Sequence, residues 1–172
     1  MKRPFWVVAL LASLASGLNA QSIVINEFMA SNETCCPDEN GQLDDWVELY
    51  NTGGDTVNIG GMYVTDNLGN PTLWQIPGNQ PTMTKIPPGG MLVLWFDGEP
   101  EQGPLHIDAR LSADGEAVGL YADDGQTLID SFTFGAQSAD VSQGRLPDGS
   151  DSWQFFEIHD QIGRTASPGM SN

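Results

Sequence analysis

Five carboxylates crowd into the stretch from Glu33 to Asp45: Glu33, Asp38, Glu39, Asp44 and Asp45. Hard cations take several oxygen ligands from a turn that wraps the chain around them. The run Asp38-Glu39-Asn40-Gly41-Gln42-Leu43-Asp44-Asp45 offers both, so calcium is the candidate ligand, with Asp66 as a donor from outside the loop. The spacing is not that of an EF-hand. Counting from Asp38, the glycine falls at the fourth position and the twelfth residue is Leu49, where an EF-hand has glycine at the sixth and glutamate at the twelfth. A solvated acidic loop is the other reading of the same residues. The loop also carries Asn32-Glu33-Thr34, a glycosylation sequon that has meaning only in a eukaryotic secretory route.

Cys35 and Cys36 are the only cysteines and are neighbours. No disulfide within the chain can therefore close a long loop and lower the entropy of the unfolded state. A bond between the two would be a small strained ring, because adjacent Cα atoms lie only about 3.8 Å apart. An intermolecular bridge and a soft-metal pair are the alternatives, although two thiolates without a nearby histidine fall short of a zinc site.

Catalytic machinery is hard to assemble from the remaining residues. A hydrolytic triad needs a histidine base, and His106 and His159 are the only histidines; each stands apart from a second ligand or base and reads as a solvated loop residue. No serine sits in a Gly-x-Ser-x-Gly elbow, and no glycine cluster leads into Lys-Ser or Lys-Thr as a phosphate loop requires. Carboxylates are so common that no pair stands out for glycoside cleavage. Trp46, Trp74, Trp95 and Trp153 are candidates for a sugar platform, against the more common role of large aromatics in a core.

Short runs of β-branched, aromatic and aliphatic residues position these groups, and clusters of Gly, Pro, Asn and Asp separate them. No stretch holds a helical apolar period, so the expectation is all-β. The runs are Ile23 to Phe28, Trp46 to Asn51, Met62 to Thr65, Leu73 to Ile76, Met91 to Phe96, Ala117 to Tyr121, Leu128 to Phe134 and Trp153 to Phe156, with Val57 and Ile59 adding a short one. Val47 and Leu49 face opposite to Trp46, Glu48 and Tyr50, and Phe132 and Phe134 share a face, as half-buried strands require. The run from Met91 to Phe96 does not alternate, as expected for a strand covered on both sides or one whose large residues meet a partner. Ala122-Asp123-Asp124-Gly125 is a hairpin turn, and Asp108 to Ser112 is a candidate helical turn. Long connections run from Ala30 to Asp45 and from Pro77 to Gly90, and long loops on a rigid sandwich are where function concentrates.

Lys2 and Arg3 precede an apolar run from Phe5 to Leu14, followed by small residues, which is the order of a secretory signal peptide. Cleavage after Ala20, with Gly17 the alternative, leaves 21–172 as a single secreted domain, extracellular or periplasmic. The run is too short for a permanent membrane span. Twenty-three acidic residues against six basic ones give a formal charge of −17. That field repels phosphate backbones and anionic membranes and favours divalent cations and cationic partners.

Three segments together resemble the lamin tail domain family: Ile23-Val24-Ile25-Asn26-Glu27-Phe28-Met29-Ala30-Ser31-Asn32, Asp44-Asp45-Trp46-Val47-Glu48-Leu49-Tyr50-Asn51, and Ser167-Pro168-Gly169-Met170-Ser171-Asn172. Between them, Asn58 to Asp66, Ile86 to Gly90 and Asp130 to Gly135 are similar to later parts of the family pattern. The resemblance implies an immunoglobulin-like β-sandwich used for binding, with no catalytic residue, here as a stand-alone secreted member of bacterial type. Asn26 and Glu48 are expected to satisfy backbone amides at turns and strand edges.

The leading functional expectation is a non-catalytic module outside the cytoplasm that docks a cell-envelope or extracellular protein or glycan, without nucleic acid. A calcium-stabilised structural protein and a hydrolase with an unrecognised carboxylate site are the alternatives. No cofactor other than calcium is suggested.

Overall fold

The computed structural model describes residues 22–157, 166 and 168–172. The signal segment and His159 lie outside the described residues. Among the described residues eleven strands in antiparallel pairing build the body: β1 (Ile23–Met29), β2 (Asp45–Asn51), β3 (Val57–Asn58), β4 (Tyr63–Thr65), β5 (Trp74–Gln75), β6 (Lys85–Ile86), β7 (Met91–Phe96), β8 (Glu116–Tyr121), β9 (Leu128–Phe134), β10 (Val141–Arg145) and β11 (Trp153–Glu157). One sheet has the order β11-β10-β1-β2-β7, the second has the order β5-β4-β8-β9, and β3 pairs with β6 apart from both.

The two large sheets bury a shared core. Ile23, Ile25, Phe28, Val47, Leu49, Leu94 and Phe96 from the five-stranded sheet meet Val64, Val118, Leu120 and Phe134 from the four-stranded one. Phe28 bridges them most directly, its ring centroid 4.4 Å from Phe134 and 5.8 Å from Phe132. At about 25 cal/mol per Å² of apolar area removed from water, this shared core is the main stabilising contribution. The all-β sandwich is thus the architecture expected from the alternating runs.

A period of two explains most of β1 but not its middle. Ile23 and Ile25 point into the core, and the next core residue is Phe28, three positions on. A strand can make that step only by inserting a residue, and the ladder with β2 slips between Ile25 and Glu27, leaving Asn26 as a bulge.

β7 is covered on both faces over its last half. Leu94 and Phe96 enter the main core, while Trp95 joins Met29, Cys35 and Trp46 in a second apolar cluster on the other side of the sheet. The loop from Ala30 to Asp44 roofs that second cluster. The segment Leu105–Ile107 straps the outer edge of β7: Trp95 N donates to Leu105 O and Ile107 N donates to Trp95 O, each at 2.8 Å.

Three elements differ from expectation, one of them β6, which lies within the long connection expected from Pro77 to Gly90. The helical turn falls at Pro100–Gln102, whereas Asp108 to Ser112 is extended enough for Arg110 to bridge Asp97. β10 carries one aliphatic residue and a glycine, so its strand character comes from backbone pairing on both sides, to β1 and β11.

Candidate functional site

The acidic loop is shaped by its own side chains. Asp38 Oδ1 accepts hydrogen bonds from Asn40 N at 2.9 Å and Gln42 N at 2.7 Å, which folds Asp38–Gln42 into a tight turn with Gly41 at φ 81°. These bonds outweigh burial and hold the Asp38 carboxyl below the ordinary carboxylate range. Asp140, from the connection between β9 and β10, ties down the start of the loop by accepting from Glu33 N and Thr34 N at 2.8 Å each and from the Thr34 hydroxyl at 2.6 Å. Cys35 and Cys36 are joined to each other, Cα atoms 3.7 Å apart, and rest on the cluster of Met29, Trp46 and Trp95.

His106 is fully buried, with Nδ1 2.5 Å from Asp97 Oδ2 and Nε2 3.0 Å from Glu39 Oε1. The solvated loop histidine expected from sequence is therefore corrected. The strap on β7 pairs Leu105 and Ile107 with the sheet and turns the intervening ring inward under the acidic loop. The alternation Leu105-His106-Ile107 was the available signal for an extended, half-buried segment. Burial alone would depress the imidazole pKa, but the hydrogen bonds to Asp97 and Glu39 prevail and raise it.

The candidate calcium ligands divide among several environments. Asp38 and Glu39 come together with His106, their ligand atoms within 4.8 Å of one another. Asp44 is half-buried, and its Oδ2 is enclosed without a hydrogen-bond partner. Burial and the charges of Asp97, Asp38 and Glu99 raise its pKa. Asp45 accepts from Asn32 N at 3.1 Å, and burial pushes its carboxyl up to about 6. Glu33 is exposed at the rim. Asp66 faces a separate shallow cleft with Asn67, Leu68, Gly69, Glu116 and Ala117, where burial raises the pKa of both Asp66 and Glu116.

A second polar centre lies within the five-stranded sheet. Asn26 Nδ2 donates to Glu48 Oε1 at 2.8 Å and to Asp148 Oδ1 at 3.0 Å, and Asn26 Oδ1 accepts from Gly149 N at 2.9 Å. Glu48 Oε2 accepts from Gly169 N at 2.6 Å. The bulge at Asn26 turns its amide toward this junction, so the opening segment, the Trp46–Asn51 segment and the Pro168–Asn172 tail meet at one point. A family model described as Lamin Tail Domain matches residues 18–136. The chain belongs to the Lamin Tail Domain family. No curated protein and no solved structure matches it.

This lamin tail domain is an immunoglobulin-like sandwich, and the Asn26–Glu48 junction locks its first two strands to segments beyond the matched region. The tryptophans among the described residues are packed: Trp46 and Trp95 are buried in the second cluster, and Trp74 and Trp153 are half-buried against the main core. Among the described residues the open aromatic is Phe155, 54% exposed, on β11. Trp153, two residues earlier on the same face, stacks on Phe132 with centroids 3.7 Å apart, and the Arg145 guanidinium lies 4.8 Å from its ring centroid. β11 pairs with β10 on one side and, among the described residues, ends the sheet on the other. Asp151 and Glu157 are exposed beside and at the end of this strand. A strand edge unpaired among the described residues, with an open aromatic between carboxylates, can take up an extended chain by backbone hydrogen bonding.

Proposed function

We propose that this lamin tail domain is a non-catalytic binding module working outside the cytoplasm, and that it docks an extended, cationic segment of a protein partner along the outer edge of β11. The observation that supports it is Phe155, exposed on an edge strand between Asp151 and Glu157 in a chain of formal charge −17. Edge strands left open are templates for a further strand, and this chain straps the opposite edge of the same sheet with Leu105–Ile107. The surrounding carboxylates select Lys and Arg over acidic side chains and steer association. Export follows from the Lys2–Arg3 and Phe5–Leu14 signal order.

The test is titration of the isotope-labelled mature chain with an octapeptide of alternating Arg and Val, with its Glu-Val counterpart, and with a neutral oligosaccharide. The expected result is shift changes at the β11 amides with the cationic peptide alone, weakened at least tenfold by Phe155→Asp. Shifts confined to the acidic loop, equal binding by the variant, or response to the oligosaccharide alone would overturn the reading.

A further inference from the structure

We propose that Asp38, Glu39 and His106 form a binding site for a divalent transition metal of the zinc class, with Asp97 as the positioning residue behind the histidine. The three side chains present one imidazole nitrogen and two carboxylate oxygens within 4.8 Å of one another. A tetrahedral ion with bonds of about 2.0 Å needs its ligand atoms about 3.3 Å apart, so side-chain movement on the order of 1 Å closes the site. Glu39, whose side chain is 56% exposed, has the freedom to make that movement.

The position of the histidine is what points to a metal. Metal-bound imidazoles donate their other N–H to a carboxylate, which fixes the tautomer and raises ligand basicity. Asp97 Oδ2, fully buried and 2.5 Å from Nδ1, makes that contact, and Asp97 is itself tied to the backbone through Glu99 N at 2.8 Å. Nε2 is thereby aimed at the carboxylate side, where Glu39 Oε1 lies 3.0 Å away.

A second observation comes from Asp44 and Asn32. Asp44 Oδ2 and Asn32 Oδ1 are both enclosed and take no hydrogen bond, and Asn32 is only 8% exposed. The two residues are joined, since Asn32 Nδ2 donates to Asp44 O at 2.8 Å. A nearby cation would stabilise buried oxygens that lack donors. Nitrogen in the ligand set separates this site from calcium, which takes oxygen ligands. A metal on Nε2 takes the ring lone pair that a proton would otherwise hold. Metal and proton compete for that nitrogen, so binding strengthens as pH rises.

Calorimetric titration of the untagged mature chain with zinc and, separately, with calcium tests the assignment, in two buffers of different ionisation enthalpy. Expected are one zinc per chain, at least tenfold tighter than calcium, with a proton released on binding. Glu39→Gln should weaken zinc at least tenfold and Asp97→Asn by 10- to 100-fold, the effect typical of a carboxylate behind a metal-bound imidazole. Because Glu39 is exposed, its variant is expected to fold even where His106→Gln does not. Zinc binding no tighter than calcium, or zinc affinity that survives Glu39→Gln, would overturn the proposal.

Discussion

Glu27 and Glu48 stand directly opposite one another across the β1–β2 ladder, and both are fully buried. Like charges facing each other in a sheet repel, and burial removes the water that would screen them. Ser142 donates its hydroxyl to Glu27, while Asn26 and Gly169 donate to Glu48. Burial foremost, with the charges of Glu27 and Asp148 added, pushes Glu48 up to about 8 despite those donors. The folded chain therefore keeps a proton at Glu48 over a range in which the unfolded chain has released it.

That proton makes stability depend on pH with a definite sign. The folded pKa of Glu48, about 8, lies above its ordinary value of 4.5, so its contribution is fully present below 4.5 and is lost as pH rises to 8. At about 1.4 kcal/mol per unit, the loss is on the order of 4 kcal/mol. Glu48→Gln cannot ionise, but its single carbonyl faces two N–H donors, so it should be less stable than the native chain at pH 4.5 by about 1–3 kcal/mol. Urea unfolding measured from pH 4.5 to 8.5 should show the native stability falling toward the variant's and meeting or crossing it. Parallel curves would mean that Glu48 is ionised in the folded chain.

A salt bridge stands in for strand pairing farther along β1. β10 reaches β1 only at Glu27 and Phe28, which leaves the backbone of Ile25 without a strand neighbour on that side. Asp130 Oδ2 accepts from Ile25 N at 2.8 Å, and Arg145 Nε donates to Ile25 O at 2.7 Å. The two side chains pair at 3.0 Å. Removing one partner leaves a carboxylate and a carbonyl poorly matched in a nearly buried place, so Arg145→Ala should cost about 3–5 kcal/mol. Arg145→Lys restores charge but not the fork that reaches Ile25 O and Asp130 together, and should recover less than half of the loss. Denaturant midpoints for both variants check this, and full rescue by lysine would reduce the role of Arg145 to its charge.

These relationships mark the limit of what the sequence shows. The paired sheets follow from the alternating apolar positions of Val47 and Leu49, of Phe132 and Phe134, and of the mixed run in β7, because burial of one face imposes a period of two. The bulge was visible only as a three-residue step between Ile25 and Phe28, in a segment that otherwise reads as one strand. β10 had no pattern to find, since its place is set by neighbours far along the chain. The acidic loop was legible as a concentration of oxygen ligands. His106 was not legible as their companion, because its burial depends on the strap crossing β7. Asp140, more than a hundred residues from the amides it caps, carries no local sign of that role.

Gly144 tests how closely the junction is packed. A Cβ there would lie 2.8 Å from Glu27 Cγ, 2.9 Å from Glu27 Cβ and 2.9 Å from Asn172 Nδ2. Glu27 is fully buried and held by the Ser142 hydroxyl, so Gly144→Ala should destabilise by about 1–3 kcal/mol through overpacking. It should also speed hydrogen exchange at Gly169 and Asn172 N, whose bonds to Glu48 and Asp148 lie at the same junction. A melting temperature within a degree of the native chain would show that the tail yields freely.

The acidic loop should open locally when its anchor is removed. Asp140 gathers the amides of Glu33 and Thr34 and the Thr34 hydroxyl onto one carboxylate from a residue at φ 58°, and those bonds hold its pKa below 3.8. Such a depressed carboxylate contributes stability above its ordinary pKa of 3.8 and loses it as pH falls through the lower folded value, so the anchor is intact at neutral pH and released in strong acid. The anchored stretch crosses the apolar roof but adds little to the main core between the sheets. Asp140→Ala should therefore lower global stability by only about 1 kcal/mol, while exchange at Glu33 and Thr34 accelerates at least tenfold. If the site at Asp38, Glu39 and His106 depends on an ordered loop, zinc affinity should fall in parallel. Exchange rates unchanged at Glu33 and Thr34 would show that packing of Cys35 and Cys36 on Trp46 and Trp95 is sufficient to hold the loop.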